Sequence, residues 1–268
     1  MKTNLPQACG IALLAISGLL LAGCDANGDG TIDGSGGLNT GNGDDNGNGT
    51  IDPNEFPNDG TVPTDVTDGG APGGTPIAGN FICSASASGP GVTTTVGARG
   101  LVGGLLTNLL NLLGADPVTQ LTNGVADKDL LIDGKLSTHS TFTLAVGLLG
   151  SLLEGVDQNV NLPTAAPAGT FSVFALGFPN GTVDLSLVNQ VKITTYLNGN
   201  QRETRSYTQN DLDLLGAGTH ERAWVGFRSK QSFDRATVTL EPGLLSANVG
   251  KAMYVHELCT GGRFVATP

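Results

Sequence analysis

The stretch Val156-Asp157-Gln158-Asn159-Val160-Asn161-Leu162 places Val156, Val160 and Leu162 on one face of an extended chain and Asp157, Asn159 and Asn161 on the other. A repeat of two residues marks a half-buried strand, because successive side chains leave a strand on opposite sides. The same period recurs over 191–197, 223–227, 236–240 and 252–258. Asn198-Gly199 stands between Val191–Leu197 and the polar run Gln201–Thr208, and both residues tolerate the positive φ of a type I′ turn, so the pair predicts a hairpin. About eight strands of this kind, separated by Gly, Pro and Asn clusters over residues 81–268, predict an all-β fold: a single jelly-roll-like β-sandwich with one core. One run departs from the pattern. Leu101, Leu105, Leu109 and Leu112 lie three or four apart, which suits either one short amphipathic helix or a buried loop.

Upstream of this body the composition changes. Between Cys24 and Asn80 the chain is dominated by Gly, Asp, Asn, Thr and Pro and contains no Lys or Arg, so residues 24–80 are expected to form a flexible, disordered acidic tether. Ten of the 24 acidic residues lie there; residues 81–268 hold 12 basic against 14 acidic groups, although the whole chain carries −11. A nearly neutral body without a basic patch excludes nucleic acid as a partner.

The first 23 residues read as an export signal: Lys2, an apolar run from Ile11 to Leu21, then small residues at Ala22 and Gly23 before Cys24. That run falls short of the roughly 18–20 residues a spanning helix needs. Leu21-Ala22-Gly23-Cys24 resembles the lipobox of bacterial lipoproteins. The resemblance implies cleavage before Cys24, acylation of its thiol and amino terminus, and a chain held at the membrane of the bacterial envelope by that lipid. Several acyl chains make such anchoring stable. Asp25 resembles the inner-membrane retention signal of enterobacterial lipoproteins, but bacteria differ in sorting, so inner and outer membrane both stay open. With Cys9 removed and Cys24 acylated, Cys83 and Cys259 are left, and an oxidising compartment predicts a disulfide between them. Such a bond would staple the first strand of the body to the last, typically worth about 2–4 kcal/mol.

Within the tether, residues 44–55 resemble an EF-hand calcium loop over all twelve positions. The chemistry fits the spacing. Asp44, Asn46 and Asn48 offer side-chain oxygens, Thr50 its carbonyl, Asp52 a water bridge and Glu55 a bidentate carboxylate, while Gly49 allows the sharp turn. Asp25, Asn27, Asp29, Thr31 and Asp33 repeat the first nine positions, but Gly36 replaces the closing carboxylate, so that site is the weaker. Calcium is the expected cofactor, bound weakly as in extracellular modules.

Leu131-Ile132-Asp133-Gly134-Lys135-Leu136-Ser137-Thr138 resembles the Asp-Gly turn of discoidin-like, galactose-binding-like jelly rolls, and the segments 212–216 and 232–240 resemble closing strands of bacterial surface versions of that fold. The resemblance implies a non-catalytic module that binds glycans or cell surfaces through loops at one end; some members hold a structural calcium near the turn, which would make Asp129 or Asp133 a ligand. Catalysis is not expected. His139, His220 and His256 stand in no metal or nucleophile motif, and Asp211, Asp213 and Glu221 lie in a turn-rich segment. The expected partners are the membrane, through the lipid, and either a glycan or an envelope protein, the latter making the body a structural or assembly component; a hydrolase is the third class. An exposed cluster of Trp224, Tyr196, Tyr207 and Tyr254 would favour glycan stacking, and an apolar patch over 101–113 a protein or lipid partner.

Overall fold

The computed structural model describes residues 56–71, 73–99, 124–144, 155–178, 188–208, 211, 222–242 and 250–266. The export signal, Cys24, both calcium-loop candidates and the 101–113 run lie outside the described residues. Thirteen strands are described: β1 (Thr64–Asp68), β2 (Thr75–Pro76), β3 (Asn80–Ser86), β4 (Thr93–Arg99), β5 (Val125–Ala126), β6 (Ser140–Leu144), β7 (Gly155–Ala166), β8 (Phe171–Gly177), β9 (Val188–Leu197), β10 (Asn200–Thr208), β11 (Arg222–Arg228), β12 (Phe233–Pro242) and β13 (Gly250–Val265). A single 3-10 turn, Lys128–Ile132, accompanies them.

The strands form the two sheets of a β-sandwich. One runs β10-β9-β12-β7-β4; the other runs β2-β1-β11-β8-β13-β6-β5, with β3 also paired to β13. The hairpin predicted at Asn198-Gly199 joins β9 to β10, with φ of 51° and 78° as a type I′ turn requires. Alternation sorts the side chains. Phe174, Leu176, Ala223, Val225, Phe227, Met253 and Val255 meet Val160, Val191, Ile193, Ala236 and Val238 between the sheets. Gln158 also points inward, where its amide accepts from Ser140 at 2.8 Å and donates to the Lys128 carbonyl at 2.9 Å, so this buried amide is paired at both ends.

The tether ends earlier than its composition suggests. Residues 56–80, expected to belong to it, are part of the folded body: β1 pairs in parallel with β11 from Thr64↔Trp224 to Asp68↔Arg228, and Phe56, Val62 and Val66 are buried. These side chains cover the outer face of the larger sheet, building a second core with Phe81, Cys83, Leu136, Val173, Ala175, Trp224 and Cys259. Strands β8 and β11 are consequently buried on both faces; for β11 this differs from the half-buried strand that alternation over 223–227 predicts. Polar ties hold the arm down. Asp65 pairs with Arg205 of β10 at 2.6 Å, the Tyr207 hydroxyl donates to the Asp65 carbonyl, and the Asn58 amide exchanges two hydrogen bonds with the Cys83 backbone. Glu203 accepts from the Gly70 and Gln231 backbone N–H groups and from the Ser229 hydroxyl.

Cys83 and Cys259 are joined, linking β3 to β13 over a sequence separation of 176. The disulfide therefore staples the covering arm to the C-terminal strand. Among the described residues the first strand is β1, which composition assigns to the tether, so the bond joins the third described strand to the last.

Candidate functional site

Antiparallel pairing sets Arg222 of β11 opposite Gly177 of β8, and Gly177 opposite Tyr254 of β13. Since Ala223, Leu176 and Val255 point into the inner core, this row faces outward. Arg222 and Tyr254 are half-buried and stand on either side of a residue with no side chain. A Cβ at Gly177 would come within 2.9 Å of His256 Nε2 and 3.3 Å of Tyr254 Cβ, so only glycine lets these two side chains pack over the strand and line the notch. His139, half-buried at the entrance to β6, lays its ring on Tyr254 with centroids 3.9 Å apart and stands 5.1 Å from the His256 ring.

His256 forms the floor. Its Nδ1 donates to the Leu136 carbonyl at 2.8 Å, and Phe56 packs against its other side. Burial, then the nearby charges of His139 and Arg222, push its pKa down to about 3, so its ring is neutral near pH 7. The arrangement is a guanidinium, one phenol ring and two imidazoles, His139 half-buried and His256 buried, around a notch. Such groups offer directional hydrogen bonds and an apolar ring face at one place, which suits a small hydroxyl-bearing ligand.

A second titratable pair lies beside it. Strand β13 carries a bulge between Val255 and Leu258, and this turns Glu257 toward the Asp-Gly turn. Glu257 Oε1 accepts from the Gly134 and Lys135 N–H groups at 2.7 and 3.1 Å, while its buried Oε2 has no hydrogen-bond partner. Asp133 stands close by, accepting from Lys135 N–H and from the Thr138 hydroxyl. Burial, with the Asp133 charge added, drives the Glu257 pKa up to about 10. Two carboxyl groups with an orphaned oxygen fit either a protonated Glu257 or a hard, oxygen-seeking cation. Among the described residues no three His, Cys, Asp or Glu side chains gather to hold a metal, so backbone or hydroxyl oxygens would complete such a site. Of the two acids expected near this turn, Asp133 is brought to it; Asp129 instead bonds Thr94 and Lys128. Sequence reasoning missed Glu257, because a bulge leaves no mark in an alternating pattern.

The exposed aromatic cluster that would favour glycan stacking does not form. Trp224 and Tyr207 are fully buried, Trp224 beneath Phe56 and Phe81 and Tyr207 at the arm, while Tyr196 lies on the other sheet. Only Tyr254 reaches the notch. Asp211 accepts from the Thr208 backbone and hydroxyl, closing a turn. His220, Asp213 and Glu221 lie outside the described residues, as do Cys24, Asp25, Asn27, Asp29, Thr31, Asp33, Asp44, Asn46, Asn48, Thr50, Asp52 and Glu55.

No family model matches the chain, and no curated protein matches it. Among solved structures it is similar to the family 32 carbohydrate-binding module of NanJ from C. perfringens in complex with galactose, at 18% identity and a TM-score of 0.31, over 62% of this chain and 92% of that one. It is also similar to a family 32 module, CBM32-3, of a family 31 glycoside hydrolase from Clostridium perfringens, at 18% identity and a TM-score of 0.31, over 51% of this chain and 82% of that one. A third structure, GH31 CBM32-2 bound to GalNAc, is 14% identical with a TM-score of 0.29, over 63% of this chain and 96% of that one.

Proposed function

We propose that the chain is an exported, lipid-anchored protein of the bacterial envelope presenting a non-catalytic, saccharide-binding β-sandwich. The observation that carries the binding reading is the outward row Arg222–Gly177–Tyr254 with His139 stacked on Tyr254 at 3.9 Å. The glycine lets His256 and Tyr254 close over the strand, so a guanidinium, a phenol ring and an imidazole are gathered on one outward patch, the kind of groups that hydrogen-bond and stack on a saccharide. The Cys83–Cys259 bond supports export, since disulfides persist in oxidising compartments. Acylation at Cys24 supplies the anchor.

Calcium enters the proposal at two places. The 44–55 loop, closed by Glu55, is a weak site in the tether, with the 25–33 repeat weaker still. Asp133 and Glu257 would hold a second ion inside the body, where a divalent charge would satisfy the orphaned Glu257 Oε2. Calorimetric titration of the full chain with calcium, beside Glu55→Gln and Glu257→Gln variants, separates the two: each variant should lose one binding event.

A glycan array probed with the full chain tests the saccharide reading, with Arg222→Ala as the control. Binding to a defined set of glycans, lost in the variant, is the expected result. An array without hits, together with recovery of one envelope protein after crosslinking, would replace it with the assembly-partner reading. Metabolic labelling with palmitate, present in the natural chain and absent in Cys24→Ala, tests the anchor.

A further inference from the structure

The outer face of the five-stranded sheet carries polar side chains in register across every strand. One row runs Thr95–Asn159–Thr237–Thr194–Thr204 and the next Thr93–Asn161–Arg235–Tyr196–Gln201. Hydrogen bonds stitch the first row: Asn159 Nδ2 donates to Thr95 Oγ1 at 3.2 Å, Thr237 Oγ1 donates to Asn159 Oδ1 at 2.7 Å, and the Thr194 and Thr204 hydroxyls are 2.9 Å apart. Thr237 and Thr239 point to this face yet are fully buried. Arg99 of β4 and Tyr196 of β9, on strands with two others between them, meet at 3.2 Å above those strands. The face is thus a lined trough of hydroxyls and amides spanned by long side chains.

Its charges are unevenly matched. Arg99 is paired with Asp157 at 2.8 Å and Lys192 with Glu241. Arg235 lies over the Tyr196 ring, 4.1 Å from its centroid, with no carboxylate partner among the described residues, and its buried Nε makes no hydrogen bond. A guanidinium seated over a ring loses part of its side-chain freedom, and a carboxylate is the group that matches its planar fork with two parallel hydrogen bonds. Hydroxyls and amides on either side match the remainder of a sugar.

We infer that this face is a second ligand site, distinct from the Arg222–Tyr254 notch, and that it takes a carboxylate-bearing saccharide of the uronic-acid class, its acid group on Arg235 and its hydroxyls on the accessible members of the rows, Thr93, Thr95, Asn161 and Gln201. The guanidinium already covers the Tyr196 ring, so selectivity rests on charge and hydrogen bonding, and a neutral sugar gains little here.

The test is titration of the full chain with a short oligogalacturonate and with its methyl-esterified form, which keeps the ring and removes the charge. The natural chain should bind the acid at least tenfold more tightly than the ester. Arg235→Gln should abolish that preference at an unchanged melting temperature, Arg235→Lys should retain part of it, and Tyr254→Ala, which alters only the other site, should leave it intact. Equal affinity for acid and ester, no binding by a folded natural chain, or a preference that survives Arg235→Gln or falls with Tyr254→Ala would overturn the inference.

Discussion

Phe56 stands edge-on to Trp224, with ring centroids 4.7 Å apart, and both side chains are fully buried. Phe56 is the first described residue, so the described body begins on a core residue. The Phe56 backbone N–H also donates to the Leu136 carbonyl at 3.1 Å, the same acceptor that fixes His256. The second core and the notch floor therefore share one anchor. Phe56→Ala should destabilise the body by about 3–5 kcal/mol, as loss of a buried aromatic does, and a chain shortened to begin at residue 81 should lose cooperative unfolding while one beginning at residue 56 keeps it. Denaturant titration of the three proteins checks this; equal midpoints for the two shortened chains would refute the role of the arm.

The disulfide ties the same arm to β13 over a separation of 176 residues. Cross-linking positions so far apart restricts the unfolded chain strongly, with a typical stabilisation of about 2–4 kcal/mol. Reduction, or the Cys83→Ser/Cys259→Ser double variant, should lower the unfolding midpoint accordingly. An unchanged midpoint in reductant would mean that burial alone holds the arm.

Part of this was legible from sequence and part was not. The strands at 155–166, 222–228 and 233–242, the Asn198-Gly199 turn and the cysteine pairing each leave a local signal: a period of two, a positive-φ dipeptide, or two cysteines with no other assigned fate. Residues 56–80 leave none. Only a few apolar side chains, among them Phe56, Val62 and Val66, are spread through Gly, Asp and Thr, and β1 finds its partner β11 some 160 residues away, so local composition points to a tether. Alternation puts Trp224 on the face opposite Ala223, Val225 and Phe227, and residues 56–66, distant in sequence, bury that face too. Glu257 was hidden by its bulge, and the notch depends on Gly177, whose meaning comes from its neighbours across the sheet.

Glu257 gives a pH dependence opposite to that of an ordinary carboxylate. Its folded pKa, pushed up to about 10, lies above the unfolded value of about 4.3, so the folded state holds the proton more tightly. Its contribution is complete below the unfolded pKa and is lost as pH rises toward about 10. Thermal unfolding across that range should show falling stability on the alkaline side, flattened in Glu257→Gln, which stays neutral and keeps an acceptor for Gly134 N–H. Added calcium should restore alkaline stability in the natural chain and have no such effect in the variant. An alkaline limb identical in both proteins would contradict the assignment.

His256 acts at the other end of the scale. A folded pKa lowered to about 3 against an unfolded value of about 6.5 means that the neutral ring stabilises the fold above the unfolded pKa, and that this is lost as pH falls from about 6.5 toward about 3. His256→Asn should weaken the acid dependence, seen as a smaller drop in melting temperature over that interval. An unaltered acid limb would show that other groups govern it.

The central claim is that the Arg222–Gly177–Tyr254 notch binds a saccharide, and titration calorimetry of the natural chain and Tyr254→Ala, using a glycan selected on an array, tests it most directly. Tyr254 is half-buried at the wall of the notch, so its truncation should remove His139 stacking while the two cores stay intact. The account predicts at least a tenfold loss of affinity in the variant at a nearly unchanged melting temperature. A glycan bound equally well by both proteins would contradict it.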